Sequence, residues 1–333
     1  MLTLRPIFTD GIVFAANKPI RIFGCGSGKV AVSFLGETVE KTVADEWCLE
    51  LTARPYGGPY TMEITLDGEQ KTLADVYVGV VLLLSGQSNI EFRMRESKDY
   101  PELSEPCPTL RVFHAERVDQ KGIFRPMHGW QRCDSDHIIA NTSAVGYETG
   151  LLLAKRLGCA IGLISACQGA SVIQSWMPEG TMDRLGLHFT KEELSHSHFD
   201  YPLWNPHGML YNTMLKPWMP YSVSKVVWYQ GESNAAPVES KSYKKMLTEM
   251  IRIWRENFKD ESLPFIVIQI ANYQARLKRD DAWATIQAAQ MQIQDEIANV
   301  KTVVCADVCE DDDIHPPTKR YLSERVADVI GKK

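Results

Sequence analysis

The chain has 333 residues, 44% of them hydrophobic and 23% charged, a balance that excludes a disordered or fibrous protein. Its net charge of −6, without a basic run, argues against nucleic acid or an anionic membrane surface as partner. No apolar stretch approaches the length of a membrane span. The length exceeds one compact core, so two domains are expected.

Residues 1–74 read as a small β-sandwich or jelly-roll-like domain. Stretches 12–14, 20–24, 30–35 and 60–66 are β-rich and partly alternating, and Gly26-Ser27-Gly28, Gly57-Gly58-Pro59 and Asp67-Gly68 punctuate them. The opening residues lack a charged region followed by an apolar core, so no signal peptide is read here. The expected compartment is the cytoplasm, or the exterior where a leader has been removed. The eight cysteines are scattered and form no CxxC, which favours reduced thiols.

From residue 75 to 333 strands and helices alternate. The strands are expected at 76–84, 110–114, 160–165, 223–229, 264–270 and 301–306. The helices are expected at 142–157, 240–256, 282–297 and 317–331, the first capped by Asn141 and the last opened by Pro316-Pro317. This order implies parallel βαβ units and an α/β/α sandwich of three layers. The segment 171–215 is long, aromatic and irregular, and is expected to border a site.

The most informative stretch is Val80-Val81-Leu82-Leu83-Leu84-Ser85-Gly86-Gln87-Ser88-Asn89. An apolar run without alternation is a strand covered on both faces. Ser88 then stands on the turn at its carboxyl end, where open α/β sheets bind ligands. A serine on a turn also caps helices, but a hydroxyl at that edge is placed to act as nucleophile if a base reaches it. His315 is the best base, since it follows the last strand and precedes the last helix.

Ser85-Gly86-Gln87-Ser88-Asn89, Trp228-Tyr229-Gln230-Gly231-Glu232-Ser233-Asn234 and Asp312-Asp313-Ile314-His315-Pro316 occur in an order that resembles the SGNH hydrolases, in the branch of the sialate O-acetylesterases and related carbohydrate acetylesterases. The opening run Pro6-Ile7-Phe8-Thr9-Asp10-Gly11 is similar to the start of these proteins. The resemblance implies a flavodoxin-like SGNH domain and a serine esterase that removes acetyl groups from sialic acid or from a plant-type oligosaccharide such as xylan or mannan. It places the triad acid at Asp312, three residues before His315, with Asp311 and Asp313 as neighbours that compete for the role. It also implies oxyanion donors from the Ser88 and Gly169 backbone N–H groups and from Gln230 or Asn234, Gln230 being favoured. Relatives commonly carry two glycines where this chain has Gln168-Gly169. Gln87, Glu232, Trp176 and Trp204 are expected to contact substrate, the tryptophans by stacking on a sugar unless core packing claims them.

No cofactor or metal is expected. The acidic turn Glu310-Asp311-Asp312-Asp313 lacks the spaced ligands of a calcium loop, and His188, His196, His198 and Asp200 read as a polar loop. Cys305 and Cys309 read as a buried strand cysteine and a loop cysteine rather than a redox pair. Two other classes stay open: a carbohydrate-binding protein without activity, and an esterase for another short acyl group. The sequence leaves the oligomeric state undetermined.

Overall fold

A computed structural model describes residues 1–118, 122, 124–125 and 128–331. The central element is the 18-residue strand Glu69–Gly86. Its second half, Val80 to Gly86, is buried throughout, as the unbroken apolar run requires. Six strands lie parallel in the spatial order Cys107–His114, Ile161–Cys167, Glu69–Gly86, Lys225–Tyr229, Phe265–Ile268 and Val300–Val303. His128–Cys133 adds an antiparallel edge beside Cys107–His114.

The chain leaves Glu69–Gly86 toward one side of the sheet and returns to its other side at Lys225–Tyr229. The connections diverge over the carboxyl end of that strand, which opens a crevice there. Helices Ala144–Leu157, Tyr243–Asn257, Ala282–Glu296 and Arg320–Gly331 complete an α/β/α sandwich.

Two details differ from expectation. The helix Ala144–Leu157 is capped by Ser143, whose hydroxyl accepts the Gly146 N–H at 3.1 Å, because Asn141 ends a separate short helix, Asp136–Asn141. The last helix starts at Arg320 rather than 317. Asp99 Oδ2 accepts the N–H groups of Lys319 and Arg320 at 3.0 and 3.1 Å, satisfying donors that the start of a helix leaves free.

The N-terminal strands pair as Ile20–Cys25 between Thr3–Leu4 and Glu46–Leu51, and as Gly28–Phe34 between Glu37–Val43 and Gly57–Leu66. Gly57–Leu66 then pairs with the first half of Glu69–Gly86, so residues 74 and 75 sit within one continuous strand. The aromatic rings of Phe8, Phe14 and Tyr221 meet where this layer packs on the α/β/α part.

Gly86 ends the central strand with φ at +132°, and a Cβ there would lie 2.1 Å from the Tyr229 carbonyl oxygen. Only glycine lets the chain turn so close to the neighbouring strand. The next residue, Gln87, donates its N–H to that same carbonyl at 3.0 Å. The turn that carries Ser88 is thereby tied to the loop after Lys225–Tyr229.

Candidate active site

Ser88 and His315 are 227 residues apart in sequence, yet His315 Nε2 lies 2.7 Å from Ser88 Oγ. Ser88 opens the short helix Ser88–Glu91 after the Gly86 turn, and His315 comes from the loop between Val300–Val303 and the last helix. Both line a cleft of about 1370 Å³, together with Gln87, Gly169, Trp204 and Glu232. Burial holds the His315 imidazole below the ordinary histidine range, and the Lys319 ammonium pushes the same way. Asp313, Glu96 and Glu91 oppose them.

On the acidic turn, Asp313 Oδ1 accepts the backbone N–H of His315 at 2.8 Å, a local turn bond that shapes the loop. Asp311 is occupied with Gln274, whose Nε2 donates to Asp311 Oδ2 at 2.7 Å. Asp312 is exposed, and among the described residues it makes no hydrogen bond to His315.

The expected oxyanion donors divide. Gly169 lies beside Ser88, but its N–H donates to Glu91 Oε2 at 2.7 Å. Glu91 is in turn paired with Arg117. Gln230 is fully buried and donates to the Ser171 carbonyl at 2.9 Å and to Asn234 Oδ1 at 2.7 Å. Asn234, equally buried, donates to Gln174 Oε1 at 2.8 Å and to Glu239 Oε1 at 2.7 Å. Both amides are spent inside the scaffold, which corrects the expectation that either faces an oxyanion. They brace the loop after Lys225–Tyr229 against residues 171–174.

Gln87, which sequence reasoning assigned to general substrate contact, lines the cleft beside Ser88. Its Oε1 accepts the N–H groups of Gly231 at 3.3 Å and Ser233 at 3.1 Å. This fixes the amide, and among the described residues Nε2 has no protein partner. A useful signal was available in the sequence: Gln87 directly precedes Ser88 on the same turn.

Glu232 is buried, and its Oε1 accepts from Asn89 Nδ2 at 2.7 Å. Desolvation raises its carboxyl above the usual range. Trp204 borders the cleft but is itself buried, 3% exposed, and stacks on Tyr201 with ring centres 5.2 Å apart. Trp176 is a correction: it is fully buried, packs edge-on against Trp228, and donates its indole N–H to Ser171 Oγ. Core packing claims it, so it offers no face to a sugar.

Among the described residues no cluster of histidine, cysteine or carboxylate side chains has the arrangement of a metal site. His198 instead bonds the buried Glu239 at 2.7 Å, while His188 lies exposed beside Asp183. All eight cysteines are free. Among the described residues no helix is long and apolar enough to cross a membrane.

A parallel sheet with a serine–histidine pair at its carboxyl edge, on the floor of an open cleft, is the arrangement of a hydrolase that works by acyl transfer. Residues 78–330 match the model of the family described as carbohydrate esterase, sialic acid-specific acetylesterase, and the chain belongs to that family. It is a carboxylic ester hydrolase that removes O-acetyl groups from carbohydrate. A carbohydrate acetylesterase from Xanthomonas citri superimposes with a TM-score of 0.85 at 29% identity, over 98% of this chain and 74% of that one. The sialate O-acetylesterase of Mus musculus is 25% identical over 91% of this chain and 68% of its own length. That of Homo sapiens is 26% identical over 87% of this chain, which spans 60% of the human protein.

Proposed function

We propose that Ser88 attacks the acetyl carbonyl of an O-acetylated sugar while His315 takes the hydroxyl proton. The observation that carries this reading is the 2.7 Å contact between His315 Nε2 and Ser88 Oγ on the cleft floor. The negative charge that develops on the carbonyl oxygen is met by the Ser88 N–H and the Gln87 Nε2 amide. The Gly169 N–H joins them if Glu91 yields it. His315 then gives the proton to the departing sugar oxygen, which leaves as a hydroxyl, and activates a water that releases acetate from Ser88.

Asp312 is proposed as the acid that orients His315. Asp313 and Asp311 already hold the loop through other bonds, and catalytic hydrogen bonds often tighten only when substrate is present. Trp204 supplies an apolar wall, and Glu232 sits on the cleft floor.

The substrate favoured is an O-acetylated acidic sugar of the sialate type. The family description and the mammalian relatives name that class, and Arg276 and Arg279 line the cleft, where a guanidinium suits a carboxylate. Acetate release from O-acetylated sialosides, acetylated xylan and acetylated mannan, compared at equal acetyl content, tests this. The sialosides are expected to be the best substrates by kcat/KM. Faster turnover of xylan or mannan would move the assignment to neutral oligosaccharides.

A further inference from the structure

We infer that the buried pair Asn89 and Lys319 is a positioning device that locks the serine turn and the histidine loop into one frame. The inference rests on the proposed roles of Ser88 and His315. Asn89 immediately follows Ser88 and is 1% exposed. Its Nδ2 donates to the carbonyl of Ile314, the residue before His315, at 3.0 Å, and to Glu232 Oε1 at 2.7 Å. One amide therefore bridges the neighbour of the candidate nucleophile to the neighbour of the candidate base.

The other end of that amide is held by Lys319. Its Nζ donates to Asn89 Oδ1 at 2.8 Å, and the side chain is fully buried. The ammonium lies 4.7 Å from the centre of the Phe92 ring and 6.0 Å from that of Tyr229. Burying an ammonium is costly unless partners offset the lost water, and here they are one amide oxygen, two aromatic faces and the nearby Glu232. Such a placement within four residues of His315 fixes the loop from beneath. With Lys319 engaged, the Asn89 amide cannot flip, so Nδ2 always faces Ile314 and Glu232.

The cation also acts through space. Burial and Lys319 lower the His315 pKa, against Asp313, Glu96 and Glu91. Lys319 itself is lowered by burial and supported by Cys309, Cys305, Glu232 and Glu310. A base must be neutral to accept the serine proton, so lowering its pKa preserves activity toward acid pH. Removing the Lys319 charge raises the His315 pKa and moves the acid limb of kcat/KM to higher pH.

The test uses the full chain with p-nitrophenyl acetate as probe, fold checked by circular dichroism and a cooperative melt. Lys319→Met is expected to move the acid limb upward, so that activity at pH 6 falls more, relative to pH 8, than in the parent. Asn89→Ala is expected to lower kcat by roughly 10- to 100-fold with little change in KM, the size of loss that misplaced reacting groups produce. Should Lys319→Met fail to fold, Lys319→Gln, which keeps a donor for Asn89 Oδ1 without the charge, takes its place with the same expected upward move of the acid limb. A folded uncharged variant at position 319 with the parent's acid limb overturns the electrostatic half. Asn89→Ala with the parent's kcat overturns the positioning half. Labelling of Ser88 by an organophosphonate in the same samples reports separately on the serine-esterase reading.

Discussion

Ser88→Ala is expected to lower kcat for acetyl-ester hydrolysis by on the order of 10⁴-fold or more, with the melting temperature nearly unchanged. The hydroxyl is the atom that His315 Nε2 meets at 2.7 Å, and no backbone feature of the turn depends on it. The turn is set by Gly86, by the Gln87 N–H bond to Tyr229 and by the Gln87 Oε1 bonds to Gly231 and Ser233. Truncation thus removes chemistry and leaves the scaffold. Steady-state kinetics and a thermal melt of the purified variant check it. Retention of more than about a tenth of the parent rate would mark Ser88 as merely helpful and remove it from the mechanism.

Asp312→Asn is expected to reduce kcat by roughly 10²- to 10⁴-fold, through loss of the carboxylate that holds the imidazole in its working tautomer. Asp313→Asn is expected to cost less than about tenfold, because an asparagine oxygen still accepts the His315 N–H that shapes the loop. The comparison is informative because the two residues are adjacent and their substitutions isosteric. If Asp313→Asn proves the more damaging, Asp313 is the acid, and its field at His315 carries a catalytic rather than a conformational role.

The sheet was legible because a parallel strand buried on both faces must be apolar along its whole length. Val80 to Leu84 shows this, and Val226 to Trp228 and Phe265 to Ile268 repeat it. The edge strand His128–Cys133 was not legible, since an edge needs no such run and this one is half polar. Ser88 and His315 were chosen from their places at strand ends, and the structure brings them within 2.7 Å of each other. The bonding of the amides around them was not legible. Gln87, Gln230 and Asn234 are all amides on site loops, and sequence cannot show that two of them are consumed by each other and by Glu239. Asn89 and Lys319 are 230 residues apart, and nothing local to either announces the pairing. Trp176 and Trp204 looked alike in an aromatic segment. Both are buried, and what separates them is that Trp176 packs against Trp228 and Trp254 while Trp204 borders the cleft.

The central claim is that catalysis is covalent and passes through Ser88 with His315 as its base. A fluorophosphonate probe, followed by peptide mass spectrometry and residual activity, tests it most directly, with a parallel sample held in chelator. The account predicts stoichiometric phosphonylation of Ser88, loss of acetyl-ester turnover in step with labelling, and full activity in chelator. An unlabelled Ser88 in an enzyme that chelator silences and added divalent metal restores would contradict it.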